Sequence, residues 1–236
     1  MIAILATTMN PLYKFFEPIV EWSWEKKGIK CITMTVDMED KNREATYSQC
    51  IRLFGYLHPD IAEDETVVTG DIDMAYFGDM VKDTPEINIY GADLCNEGQF
   101  PICYIAMSKS NWRKVMGDHK SINDGLEDLL GKENCENMRG NLWCRDQETI
   151  YNNILKSGLP YTLHDRRKSD TNRTARNRAD RDGWQYDVNG LVDAHLPRPG
   201  YEQENFAKIL TLFKEVYPQE NFNWMVEYRN LFVSLL

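Results

Sequence analysis

The chain has 236 residues, 42% of them hydrophobic, enough to bury a full core as one domain with at most a small extra lobe. Its formal net charge of −10 argues against a general nucleic-acid binder, and no apolar run approaches the ~18 residues needed to span a bilayer. The six cysteines, at 31, 50, 95, 103, 135 and 144, form no C-x-x-C pair and no zinc-like spacing, so reduced thiols and a cytosolic setting are expected.

The opening Met1-Ile2-Ala3-Ile4-Leu5-Ala6 lacks the basic lead and long apolar centre of a signal peptide. Residues 2–6 instead predict a buried strand ending at Thr7 and Thr8. Asn10 followed by Pro11 is a helix start, with Asn as cap and Pro at the first helical position. Leu12, Phe15, Phe16, Ile19 and Val20 then follow amphipathic spacing, while Pro18 must kink or break the helix. Gly28 ends it, and residues 29–36 predict a second strand. A second helix over 43–57 turns Tyr47, Cys50, Ile51, Phe54 and Leu57 inward. The β-branched run Glu65-Thr66-Val67-Val68-Thr69-Gly70 predicts a third strand that delivers Asp71-Ile72-Asp73. This β-α-β-α-β order is the signature of a mainly parallel sheet with helices on its faces.

In such sheets ligands bind beyond the carboxyl ends of the strands, where Thr7, Thr8, Asn10, Asp71 and Asp73 all fall. Residues i and i+2 of an extended segment point the same way, so Asp71 and Asp73 can face one cation. A hard divalent ion held by one or two carboxylates and by substrate phosphates fits that chemistry, with a solvated turn as the plainer alternative. There is no G-x-G-x-x-G and no Walker A sequence, so neither a dinucleotide enzyme nor a P-loop NTPase is supported.

The second half is less regular. Residues 101–106 predict a strand, Ser108 caps a helix over 109–116 that carries Trp112, and a short helix is expected over 122–130. The segment from Trp143 to Ile150 opens a helix to about residue 156, with Asp146 set either to cap it or to do chemistry. Phe100, Tyr104 and Trp112 offer sugar-stacking surfaces, core packing being the plainer reading. Between Arg166 and Arg181 seven basic residues stand against two acids, a solvated loop or a flap over an anion such as a diphosphate. Gly183 to Leu191 predicts a turn and strand. The last 35 residues predict one or two helices with Phe206, Ile209, Leu210 and Phe213 as a core stripe.

The ordered landmarks are Thr7-Thr8-x-Asn10-Pro11, Gln49-x-x-Arg52, Gly70-Asp71-Ile72-Asp73, Trp143-x-x-Asp146-Gln147 and Asp193-x-His195-Leu196-Pro197-Arg198-Pro199-Gly200-Tyr201. Together they resemble the A-type-fold glycosyltransferases that carry an Asp-x-Asp motif, in particular the small enzymes of large algal viruses. The resemblance covers residues 1–201. It implies an α/β chain forming a single nucleotide-diphospho-sugar transferase domain over 1–236 (GT-A-like), with a central mixed, mostly parallel sheet flanked by helices. Residues 1–84 would be the nucleotide-binding half, 85–200 the acceptor and metal half, and 201–236 the C-terminal helices.

The resemblance further implies a metal-dependent hexosyl- or pentosyltransferase, with a UDP-sugar as donor and a glycan or glycoprotein as acceptor. Asp71, Asp73 and His195 would bind Mn²⁺ or Mg²⁺, the imidazole favouring manganese. Thr7, Thr8, Asn10, Arg52, Asp71, Gln147 and Arg198 would hold the nucleotide sugar, with Arg181 adding charge. Asp146 would be the catalytic carboxylate, with Asp93, Glu97 and Asp118 as other candidates for the acceptor base. Many cellular relatives carry a membrane anchor that this sequence lacks, which implies action in the cytosol of a microbe or an infected cell, as for a virus-encoded enzyme, or one domain cut from a larger protein. Nucleic acid is disfavoured as acceptor by the net charge. Two other readings stay open: a nucleotidyl- or sugar-phosphate transferase using a nucleoside triphosphate, and a non-catalytic binding module without metal-dependent nucleotide binding.

Overall fold

A computed structural model describes residues 1–91, 96–131, 143–164, 172–173, 184, 186, 188 and 191–236. The chain divides into two interleaved units, Met1–Thr8, Ile29–Asp71 and Val81–Ser169 in the first, and Met9–Gly28, Ile72–Met80 and Asp170–Leu236 in the second.

The first unit is built on a six-stranded sheet. In chain order its strands are β1 (Ile2–Thr8), β2 (Lys30–Val36), β3 (Thr66–Thr69), β5 (Ile87–Tyr90), β6 (Ile105–Ser108) and β7 (Tyr161–His164), β4 (Met74–Tyr76) belonging to the second unit. They lie side by side as β2-β1-β3-β6-β5-β7. Only β6 runs against its neighbours, so the sheet is mixed and mostly parallel, as the sequence predicts. Its helices are α3 (Lys41–Ile51), α4 (Lys109–Met116), α5 (Ile122–Leu130) and α6 (Arg145–Ser157). One sheet face, carrying Ile2, Ile4, Val67, Ile87, Ile89, Ile105 and Met107, packs on Cys50, Phe54, Trp112, Leu126, Ile150 and Ile154 from those helices and the turn after α3. Trp112 is fully inside and donates from Nε1 to the Val67 carbonyl at 3.0 Å, which pins α4 to β3. Tyr104 and Phe100 are buried as well, so all three aromatics serve the core.

The helix predicted over 43–57 is two elements. After Ile51 the chain tightens into a 3₁₀ helix over Arg52–Leu57. Gly55 explains the close passage: a Cβ there would lie 2.4 Å from Ile4 Cγ2 and 2.9 Å from Cγ1, and Ile4 is completely buried. Gly55→Ala is therefore expected to overpack this seam and lower stability by about 1–3 kcal/mol. A urea midpoint equal to wild type at unchanged slope would show that the seam relaxes freely.

The second unit holds α1 (Pro11–Lys14), α2 (Glu17–Glu25), α7 (Gln203–Val216) and α8 (Asn223–Ser234), and a small sheet ordered β4 (Met74–Tyr76), β9 (Leu191–His195), β8 (Asn172–Arg173). Pro18 produces the expected break: the helix stops at Lys14 and restarts with Pro18 in its first turn, where a missing N–H costs nothing. Trp24 stacks on Tyr76 at 4.2 Å, and Ser23 Oγ accepts the Tyr76 N–H, so α2 fixes β4. Phe15 is ringed by Tyr201, Phe206, Tyr228 and Phe232, which ties α7 and α8 to the segment between α1 and α2. In α7 the buried stripe is Phe206, Ile209, Leu212 and Phe213; Leu210 is only partly covered. Among the described residues no helix is long and apolar enough to cross a membrane.

Candidate functional site

Asp71 ends the first unit and Asp73 belongs to the second, with Ile72 between them. The segment is not extended: residues 72 and 73 form a turn between β3 and β4. The alternation rule that would aim both carboxylates one way therefore does not operate, and each acid has its own partners.

In the first unit the organising group is Arg52, opening the 3₁₀ turn and 6% exposed. Its Nε donates to the Gln49 carbonyl (3.2 Å), Nη1 to the Gly70 carbonyl (3.1 Å) and to Asp71 Oδ1, and Nη2 to Asp146 Oδ2 (3.2 Å). Four of the five guanidinium N–H groups are thus directed at protein acceptors. Burial opposes the charge on Arg52, but Asp71 and Asp146 outweigh it and raise its pKa. Asp146, 2% exposed, is the second residue of α6; Cys144 occupies the cap position, and Asp146 Oδ1 accepts the Gln147 N–H at 2.9 Å. Burial pushes the Asp146 carboxyl up, against the opposing pull of Arg52 and of the Gln147 N–H. A buried carboxyl with a raised pKa and a fixed cation is an arrangement found where proton transfer or charge placement is needed.

Thr7 and Thr8 end β1, opposite Thr35 and Val36 of β2, and both are buried; Thr7 Oγ1 donates to the Thr8 carbonyl. Asn10 caps α1, its Oδ1 accepting the Leu12 N–H at 3.0 Å. Glu97 and Asp118 lie in loops, Asp118 3.4 Å from Arg113. Asp93, Arg181 and the basic run 166–181, apart from the backbone of residues 172–173, lie outside the described residues.

In the second unit β4 and β9 pair antiparallel with Met74 opposite His195, and the Leu196 N–H donates to the Asp73 carbonyl at 2.8 Å. That pairing sets Asp73 against His195, which ends a strand rather than sitting in a loop. His195 Nε2 lies 3.1 Å and Arg198 Nε 3.5 Å from Asp73 Oδ2. Burial works against the ionised Asp73, but the charge and hydrogen bond of His195 and the charge of Arg198 prevail and hold its carboxyl at about 2. Tyr13, which the sequence does not flag, accepts a hydrogen bond from Arg198 Nη1 and offers its ring face to the guanidinium.

A carboxylate oxygen facing an imidazole nitrogen at this spacing is the kind of donor pair that a divalent ion such as Mn²⁺ takes. Asp73 and His195 thus fit a metal as two of its ligands. Among the described residues no cluster of three or more His, Cys, Asp or Glu side chains is arranged to hold an ion by itself.

No family model matches the sequence, and no curated protein matches it. Solved structures do resemble it. A glycosyltransferase involved in glycosylation of the major capsid of PBCV-1 superposes with a TM-score of 0.51 at 12% identity, over 89% of this chain and 98% of that one. The glycosyltransferase GlyE of Streptococcus pneumoniae aligns at a TM-score of 0.47 and 12% identity, over 99% and 63% of the two chains. A Drosophila β1,4-galactosyltransferase 7, solved with manganese, UDP-Gal and xylobiose, gives 0.43 and 10%, over 97% and 79%. The chain has the A-type fold of the glycosyltransferases, shared with the glycosyltransferase involved in glycosylation of the PBCV-1 major capsid.

Proposed function

We propose that the chain is a metal-dependent glycosyltransferase that moves a hexosyl or pentosyl group from a nucleoside diphosphate sugar, UDP being the default, to a glycan or protein-linked acceptor. We propose further that residues 1–236 act as one transferase domain, in the cytosol. The observation that carries the reading is the Asp73–His195–Arg198 cluster: an ionised carboxylate, an imidazole and a guanidinium gathered at the end of one strand pair on the A-type fold.

Breaking the bond from sugar C1 to the diphosphate leaves negative charge on the departing phosphate oxygens, and fixed positive groups aimed there lower the barrier. Arg198 supplies such a charge. Asp73 and His195 would hold Mn²⁺ or Mg²⁺, whose chemistry is that of a Lewis acid on the diphosphate. Asp71 would meet the metal and ribose, and Thr7, Thr8, Asn10 and Gln147 would line the nucleotide-sugar pocket. Asp146 would orient the donor sugar or take the acceptor proton, its raised pKa suiting either task. Arg52 fits the role of holding Asp71 and Asp146 in register better than that of binding phosphate, because its donors are already directed inward.

The test is calorimetric titration with UDP, GDP and CDP in Mn²⁺, Mg²⁺ or EDTA, followed by hydrolysis of the matching nucleotide sugars. Metal-dependent binding of one diphosphate and slow hydrolysis of its sugar conjugate are expected. Binding of a nucleoside triphosphate alone would favour a nucleotidyltransferase, and no metal-dependent binding would leave a binding module.

A further inference from the structure

Asp73 is not the only anchor of Arg198. Arg198 Nη1 donates to the Tyr13 hydroxyl, and its guanidinium carbon stands 5.1 Å from the centre of the Tyr13 ring. Asp73 faces a different atom, Nε, at 3.5 Å. Tyr13 in turn sits on the four-residue helix α1, which Pro11 opens and the Asn10 carboxamide caps. We propose that Tyr13 is a positioning residue for the diphosphate-binding cation, with α1 as the bracket that presents it.

The chemistry favours this arrangement. A free arginine side chain loses rotamer freedom when it is fixed on a ligand. A partner that fixes it beforehand moves that cost out of the binding step. The ring attracts the guanidinium through its face, and the hydroxyl takes one hydrogen of Nη1, so Nη2 is left to meet a phosphate oxygen. With 27% of its surface exposed, the Arg198 side chain remains reachable by a ligand. The Asn10 carboxamide oxygen, engaged as a cap, helps hold α1 and so Tyr13 in place. This inference rests on the reading of Asp73, His195 and Arg198 as a diphosphate site.

The experiment titrates the whole chain with UDP, GDP and CDP in Mn²⁺, and with the parent nucleosides, for wild type, Tyr13→Phe, Tyr13→Leu, Arg198→Ala and the Tyr13→Leu/Arg198→Ala pair. Tyr13→Phe is expected to weaken diphosphate binding about 3- to 10-fold, the worth of one hydrogen bond. Tyr13→Leu, which also removes the ring, is expected to weaken it roughly 10- to 30-fold. Nucleoside affinity should stay unchanged, and Tyr13→Leu should add nothing once Arg198 is gone. Equal losses for nucleoside and diphosphate, or a Tyr13 effect that persists without Arg198, would overturn the inference in favour of a structural or base-contacting role. Loss on Arg198→Ala with no Tyr13 effect would overturn it alone. An Arg198→Ala variant that binds diphosphate as wild type does would bring down the diphosphate reading itself.

Discussion

Arg52→Leu is expected to cost about 3–5 kcal/mol of folding stability at neutral pH, because it strands a buried carboxylate. Asp146 is almost sealed from solvent, and burial already raises its pKa against the pull of Arg52. Without the guanidinium that rise loses its largest opposing influence and is held back only by backbone N–H groups. A carboxyl whose folded pKa exceeds its unfolded value destabilises the fold as pH climbs from the unfolded value, about 4, through the folded one. The deficit of Arg52→Leu should therefore be small at acid pH, where Asp146 is protonated in both states, and grow toward neutrality. Adding Asp146→Asn should recover much of it. Arg52→Lys should recover less, since one ammonium cannot reproduce a planar fork that reaches Gln49, Gly70, Asp71 and Asp146 at once. Denaturant midpoints across pH 4 to 8 decide the matter. A deficit that is flat with pH and indifferent to Asp146→Asn would mean that Arg52 stabilises by packing, not by charge.

What the sequence makes legible here is what local chemistry dictates. The alternation of apolar runs with Asn10-Pro11, Pro18 and Gly28 specifies β1, the broken helix and β2, and each is found where those residues put it. Strand β5 leaves no such mark: Ile87 to Tyr90 is four residues long and follows a polar stretch, so its membership rests on pairing with β6 and β7. The strand predicted over 101–106 begins four residues later, at Ile105, because its register is set by β3 and β5. The site divides the same way. Asp73, His195 and Arg198 can be named from the chain, yet their meeting depends on the β4–β9 pair, and Asp71 is drawn to Arg52 by a contact 19 residues distant. Tyr13 lies 185 residues from Arg198, and nothing within reach of a local pattern connects them.

Asp73→Asn separates the electrostatic role of this carboxylate from its shape. The amide can still accept hydrogen bonds from His195 and Arg198, but it cannot neutralise them or a cation. Metal-dependent nucleotide binding is expected to be lost, and sugar transfer to fall roughly 10³-fold, the scale of the several kcal/mol that a Lewis-acid ion supplies. The same substitution has a signature in stability that needs no ligand. In the folded chain Asp73 titrates at about 2, below its ordinary 3.8, so its ionised form adds stability that is present above the unfolded value and lost as pH falls between the two. The shift corresponds to about 2 kcal/mol. Asp73→Asn should lose that amount at pH 7 and should not show the wild-type decline between pH 4 and pH 2. If the variant binds diphosphate with an undiminished response to Mn²⁺, Asp73 is not a metal ligand, whatever its stability curve shows. If metal response disappears while the stability curve stays that of wild type, Asp73 meets the ion, and the His195 and Arg198 charges are balanced by another group.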